Sequence, residues 1–381
     1  MTKSKSAKPK MRIGMMIETD GPGGAEVVLI QLSEELRRRG HTVIEVGPKE
    51  GKGWLSGRLL EAGFERHCFD LRRAIDPGCV WRMRRLLQGL HLDVVHSHEF
   101  TMAVYGAAAC KLVGIPHVVT LHGGDGAFQA RRRRVALRWA KRNSQAFVGV
   151  SNHTSQFMAE RLGLRDDDVQ TVHNGIPASQ GDRNRTRNAL GLTDQDILVL
   201  AVGNARPRKG HMLLLEALAE LRDRGIGQSL HIAVAGDGPE RPRMAEYAEK
   251  KDLSDRVHLL GLRRDVGDLQ AAADISAMPS FWEGLPLAVL EGMFAGNPVI
   301  ASNVGGIGEA VRNSSEGILV APGQIAPIAD ALAQLLNHPE ERMLMGRAAL
   351  QRAQKLFSVQ AMADHYERLY RREVSLGAEP Q

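Results

Sequence analysis

The sequence predicts an α/β protein of two doubly wound domains, each a parallel sheet with helices on both faces. Three observations carry this. Short apolar runs of strand length alternate with helical patterns along the chain, and strand–helix–strand units imply parallel pairing with right-handed crossovers. The runs fall into two series, residues 11–180 and 190–356, with polar residues from Ser179 to Asn188 reading as a linker. Most strands end in polar residues, and ligands of open α/β sheets bind beyond those carboxyl ends.

In order, Met11 to Glu18 is a strand, Gly21-Pro22-Gly23-Gly24-Ala25-Glu26 a glycine-rich turn, and Val27 to Arg39 a helix stopped by Gly40. His41 to Val46 is the next strand. Asp93 to His98, His117 to His122 and Ala146 to Ser151 continue the series and place His98, His122 and Ser151 on one rim. The second series comprises Ile197 to Gly203, His231 to Gly236, Val257 to Gly261, Asp274 to Met278, Pro298 to Ala301 and Gly317 to Val320. Two helices follow from Pro339 to Glu373.

At 381 residues, each domain has enough chain for its own core. A hydrophobic fraction of 43% with 25% charged residues is ordinary for a globular protein. Cys68, Cys79 and Cys110 are an odd, scattered set, which speaks against a disulfide framework and suits a reducing, cytoplasmic compartment. The basic start precedes only a short apolar strand, so no signal peptide is read there, and no run is long enough to span a bilayer. Charge is uneven: residues 1–180 hold 27 Lys and Arg against 18 Asp and Glu, a net of +9, leaving −3 for the rest. The basic half suits an anionic lipid, an anionic acceptor, nucleic acid, or simply a solvated surface.

Several stretches carry candidate chemistry. Phe281 to Glu291 reads as strand end, acidic loop and helix, with Pro286 at the first helical position and Gly296 and Pro298 ending the helix. A helix start attracts anions, yet Glu283 and Glu291 bracket this one, as a sugar nucleotide with both phosphate and hydroxyls would require. Asn204-Ala205-Arg206-Pro207-Arg208-Lys209-Gly210 puts three cations on a strand-to-helix loop, able to clamp a diphosphate or to be a solvated turn. Gly23 and Gly24 let backbone N–H groups approach a ligand, or only make a tight turn. His96, His98, His122 and His173 lie on separate elements without a ligand spacing, so no metal site is expected. His122, at a strand end before glycines, is a site candidate or a structural hydrogen bonder. Arg131 to Arg142 is a basic helix with Val135, Leu137 and Trp139 on it, suited to an anionic membrane surface or to packing on the core.

Taken together, these motifs resemble glycosyltransferase family 4 from about Arg12 to Tyr370. The most specific part is Pro279 to Leu287 with Glu291, the family's two glutamates with seven residues between them, followed by Gly296 to Ser302 and Val304 to Glu309. The resemblance implies two Rossmann-like domains facing each other across a cleft, the GT-B architecture, with residues 357–381 crossing back to the first domain. It implies a retaining, metal-independent transfer from a nucleotide-diphosphate sugar to a hydroxyl acceptor (a glycan, a lipid-linked or a small molecule), as in cell-envelope polysaccharide or glycoconjugate synthesis. No cofactor and no nucleic-acid partner are expected, and the protein is placed in the cytoplasm or peripherally at the inner face of a membrane. By the same resemblance Glu283 would bind donor-sugar hydroxyls, Glu291 the ribose, and the backbone of Gly284, Leu285 and Leu287 the diphosphate. Lys209 would hold that diphosphate, Gly23 and Gly24 would close onto the donor, and His122 would meet the reacting sugar. The family's Gly-Arg pair is Gly203-Asn204 here, and Arg206 is the candidate replacement cation. A sugar-nucleotide epimerase and a non-catalytic sugar-nucleotide-binding subunit are the alternatives; a nicotinamide-dependent dehydrogenase does not fit the first glycine loop.

Overall fold

A computed structural model describes residues 9–48, 53–73, 75–123, 125–178 and 181–373. By contacts the chain divides into two compact units, Met1–Asn174 with Val359–Gln381, and Gly175–Ser358.

The first unit alternates β1 (Arg12–Met16), α1 (Gly24–Arg38), β2 (Thr42–Pro48), α2 (Trp54–Glu61), β3 (Glu65–Phe69), α3 (Pro77–Leu90), β4 (Val94–His98), α4 (Glu99–Val113), β5 (His117–Leu121), α5 (Arg131–Arg142), β6 (Ala146–Gly149), α6 (Asn152–Leu162) and β7 (Gln170–Thr171). All pairs are parallel, in the order β3-β2-β1-β4-β5-β6-β7. The central strand β1 sets Ile13 against Val43 on one side and Val94 on the other. Buried side chains such as Met16, Ile44, Met83 and Met102 fill one core cluster, and Val119, Phe147, Leu137 and Met158 another.

The second unit runs α7 (Arg183–Ala189), β8 (Ile197–Val202), α8 (His211–Asp223), β9 (Leu230–Ala235), α9 (Arg241–Lys250), β10 (Val257–Gly261), α10 (Val266–Ala272), β11 (Ile275–Met278), α11 (Leu287–Phe294), β12 (Val299–Ser302), α12 (Ile307–Ala310), β13 (Gly317–Val320), α13 (Ile325–Asn337) and α14 (Pro339–Leu356). Its parallel sheet is ordered β10-β9-β8-β11-β12-β13, with Val199 of β8 between Ile232 and Ile275. A last helix, α15 (Val359–Tyr370), belongs to the first unit and packs on α1.

Both sheets are doubly wound, as expected. Each reverses its strand order once, between β1 and β4 and between β8 and β11. Ligands of such sheets bind at that switch point, so the loops after these four strands are the ones to inspect.

Three local expectations change. Residues 183–189 are not linker but α7, whose Arg187 is buried and bonded to Asp274 (3.1 Å) and to the carbonyls of Ala272 (3.1 Å), Thr193 and Asp196 (2.7 Å). A polar segment can be packed when a guanidinium anchors it; Ser179 and Gln180 lie outside the described residues. The edge strands β3 and β7 have no sequence reading. β3 is Glu-Arg-His-Cys-Phe with only Phe69 buried, and β7 is two residues long, so neither shows an apolar run. Pro286 is the cap preceding α11, not its first residue.

Candidate functional site: two carboxyl rims

At the switch point of the second sheet, the loop after β8 and the loop after β11 are tied together. The Phe281 N–H donates to the Arg208 carbonyl at 2.9 Å, and the Arg208 guanidinium lies 5.6 Å from the Trp282 ring centroid. Residues Pro207–Lys209 form a 3-10 turn capped by Arg206, which carries Lys209 inward. Its stem passes Gly203, and Nζ donates to Glu283 Oε1 at 2.6 Å. Ser280 Oγ donates to the same oxygen at 2.7 Å. Both partners are largely buried, 16% and 7% exposed at the side chain, so each charge depends on the other. Removing one member of a buried pair costs about 3–5 kcal/mol because the remaining charge is uncompensated. Gly305 makes room for this loop: its φ is 56°, and a Cβ there would collide with the Glu283 carbonyl. The Gly306 N–H then donates to the Gly284 carbonyl at 2.6 Å.

The start of α11 lies at the end of the same loop. Pro286 caps it in an extended conformation with no side-chain cap bond; the Val289 N–H donates to the Pro286 carbonyl at 3.2 Å, and the Leu287 and Ala288 N–H groups and the dipole face outward for an anion. Leu285 is buried and Leu287 is half-buried on the helix itself. The carboxylate of Glu291, in the second turn, has no hydrogen-bond or ion-pair partner among the described residues, and burial pushes it up to about 7. Asn204 and Arg206 are exposed on the basic loop; the Arg206 guanidinium has no partner among the described residues. Lys209, Glu283, Gly203, Gly284, Leu285, Leu287 and Glu291 are thus gathered on two joined loops and one helix, with Arg206 and Asn204 on the outer side of the first loop. Ser280 and the buried His211, whose two ring nitrogens have no partner, are additions that no spacing signalled.

At the switch point of the first sheet, Gly23 caps α1 in an extended conformation and Gly24 is its first residue. His122 follows β5, and its Nε2 is 2.8 Å from His98 Nδ1, with the rings stacked. Burial lowers the His122 pKa to about 4 and that of His98 well below its ordinary value, so both rings are neutral at pH 7. His96 is structural: Nδ1 is 2.8 Å from the Tyr370 hydroxyl and Nε2 2.8 Å from Thr120 Oγ1, which also meets the Tyr366 hydroxyl. These bonds fasten α15 to β4 and β5. Ser151 caps α6 through Thr154. Among the described residues no three His, Cys, Asp or Glu side chains are grouped to hold a metal ion.

The comparisons agree with this geometry. Residues 22–180 match the model of Glycosyltransferase Family 4, and residues 182–352 that of Glycosyl transferases group 1. A D-inositol 3-phosphate glycosyltransferase of Rhodococcus opacus is 30% identical over 302 residues, 74% of this chain and 67% of the relative. The chain belongs to glycosyltransferase family 4. A 2-deoxystreptamine glucosyltransferase of Streptomyces kanamyceticus is similar at 28% identity over 84% of each chain. The fold is that of Anabaena HepE, solved with UDP, at a TM-score of 0.83 and 21% identity over 94% of this chain and 99% of that one. The protein is therefore a glycosyltransferase of GT-B fold, not the dehydrogenase or epimerase that a doubly wound sheet alone would allow.

The basic helix of this glycosyltransferase is α5, and most of its cations are occupied. Arg133 donates to the Gly126 carbonyl, Arg134 to those of Phe128 and Gln129, Arg138 to that of Leu162, and Lys141 to Asp168. Arg131, Arg132 and Arg142 have no partner among the described residues, beside Val135 and Trp139, 55% and 39% exposed. No helix of the described residues is long and apolar enough to cross a membrane.

Proposed function

We propose that this glycosyltransferase is retaining and metal-independent and moves a sugar from a nucleotide-diphosphate sugar to a hydroxyl acceptor. The observation that carries the reading is the Lys209–Glu283 pair beside the uncapped start of α11, a cation, a carboxylate and free N–H donors within one rim. The diphosphate lies on Lys209 and the backbone of Gly284 to Leu287, Glu283 takes donor-sugar hydroxyls, and Glu291 takes the ribose. Arg206 adds charge from the outer side. On the first unit, the Gly23–Gly24 turn and the neutral His122 serve the reacting sugar as hydrogen-bonding groups.

The acceptor oxygen forms its bond to the anomeric carbon on the face from which the phosphate leaves. The anomeric carbon–oxygen bond breaks with its electron pair going to the diphosphate, and the acceptor's proton passes to that departing oxygen. The configuration is retained, and the protein contributes position and charge stabilisation. Glu283, spent on Lys209 and Ser280 through one oxygen, keeps the other for hydroxyls. Arg131, Arg132 and Arg142 with Trp139 support a peripheral contact of the enzyme with an anionic cytoplasmic membrane face.

HepE was solved with UDP and with UDP-glucose, so UDP-glucose is the first donor to try, beside GDP- and ADP-sugars. Acceptors should include an aminocyclitol, given the Streptomyces relative. A thermal-shift panel identifies the base, because a ligand of the native state raises Tm by mass action. NMR of the product then reads the anomeric configuration, with and without EDTA. An inverted product, or activity lost to EDTA and restored by Mg²⁺ or Mn²⁺, would overturn the reading.

A further inference from the structure

The rim of the first sheet holds carboxylates that the reaction above does not use. Glu26, in the first turn of α1, is 6% exposed. Its carboxylate folds back onto Gly23, where even a methyl group would collide with it. It has no hydrogen bond and no ion pair among the described residues. Glu99 follows β4 directly, in the left-handed region at φ 68°, a conformation strained for a non-glycine residue. Its carboxylate accepts the backbone N–H of His122, and no Lys or Arg among the described residues pairs with it; burial, and then the charge of Glu26, push it up to about 7 against that hydrogen bond. Between Glu99 and His122, the fully buried His98 spends Nδ1 on His122 and leaves Nε2 with no partner, and His122 Nδ1 is likewise unpartnered. Strands β1, β4 and β5 are neighbours in the sheet, so these groups share one place.

Residues 1–180 carry a net charge of +9, yet among the described residues no Lys or Arg is paired with these two acids. Carboxylates withdrawn from water, as Glu26 is and Glu99 in part, are ordinarily paired, because an uncompensated charge there is unfavourable. We propose that this rim binds an acceptor carrying an ammonium group close to the hydroxyl that receives the sugar, with Glu26 and Glu99 holding the ammonium. The inference rests on the reading of the first unit as the acceptor side. An anionic acceptor would meet like charge. A neutral polyol would hydrogen-bond but leave the two carboxylates repelling each other. An ammonium brings three donors and the missing charge, and His98 Nε2 and His122 Nδ1 remain for neutral hydroxyls.

The test measures acceptor binding to the full chain by calorimetry in the presence of UDP. The probes are 2-deoxystreptamine (a diaminocyclitol), myo-inositol and an inositol phosphate. The diaminocyclitol should bind tighter than myo-inositol by about tenfold or more, as a charge-assisted hydrogen bond is worth, and the phosphate no better than myo-inositol. Glu26→Gln and Glu99→Gln, near-isosteric changes, should each remove most of that preference with UDP affinity unchanged. Equal affinity for amine and neutral ring, preference for the phosphate, or preference intact in both variants would overturn the proposal. The wild-type series decides even if a variant fails to fold. Amine preference with no turnover of any nucleotide sugar would instead count against the proposed reaction and leave this inference standing.

Discussion

The two rims are built alike and charged differently. Each lies at the single reversal of a doubly wound sheet, and each combines a glycine-bearing loop with a carboxylate. In the second unit the buried carboxylate Glu283 is neutralised by Lys209 at 2.6 Å, and a further cation, Arg206, stands exposed beside it. In the first unit Glu26 and Glu99 have no cation among the described residues, and the imidazoles near them are held neutral by burial. One topology thus supplies position twice, and the side chains decide what each position binds: phosphate needs the cations, whereas an amine or a hydroxyl needs acceptors.

The largest effect that could break this comparison comes from its charged pair. Lys209→Ala and Glu283→Gln should each lower kcat by about a hundredfold to a thousandfold, the range of losing one preorganised electrostatic group, while far-ultraviolet circular dichroism stays native. Wild-type turnover in both would remove the second rim from the reaction.

His122→Ala should cost less, about tenfold to a hundredfold in kcat/KM, the worth of one or two buried hydrogen bonds. Because the His122 pKa is lowered to about 4, the wild-type rate should show no inflection from this ring between pH 6 and 8. An inflection there that disappears in the variant would mean that the ring titrates and works as an acid or base.

A third effect depends on pH. The Glu291 carboxyl is raised from 4.5 to about 7, so the folded state holds its proton more tightly than the unfolded chain. Its contribution to stability is fully present below about pH 4.5 and is lost as pH rises through 7. Nucleotide affinity should run the other way, tightening by about tenfold from pH 6 to pH 8 as the carboxylate forms to accept the ribose hydroxyls. Calorimetry on Glu291→Gln should give a flat profile; an unchanged slope would assign the titration elsewhere.

Arg206→Ala should have a smaller effect, about threefold to tenfold on donor affinity, since an exposed charge is screened. A loss as deep as that of Lys209→Ala would show that Arg206 fully replaces the cation absent at Asn204. The smallest expected change is on the α5 face. Arg131→Glu with Arg132→Glu should weaken flotation with phosphatidylserine vesicles and leave soluble-acceptor turnover unchanged, each lost cation being worth about 1 kcal/mol.

Much of the second unit was legible because its signals are local. All six of its strands are apolar runs, and the acidic loop and Gly296 are punctuation with a fixed conformational meaning, whereas Pro286 caps the helix instead of opening it. The basic loop and the two glutamates were read as parts of one site, and the structure joins their loops. The first unit was read less completely. Its edge strand β3 is half polar, and α7 of the second unit hides its anchor in Arg187, a residue that looks solvated until its four acceptors are known. The arginine helix was legible as a charge run, but which arginines are free was not.

What the sequence determined by itself was the rhythm of elements, the family and the two loops that meet at the second rim, since all three depend on residue type and short spacing. The tertiary structure alone decided who partners whom. It paired Lys209 with Glu283 across 74 residues, gave His96 to the C-terminal helix across 274, and left Glu26 and Glu99 without a cation among the described residues. Charge compensation in a low-dielectric rim depends on distances of a few ångströms between residues far apart in the chain, and no periodicity records those distances.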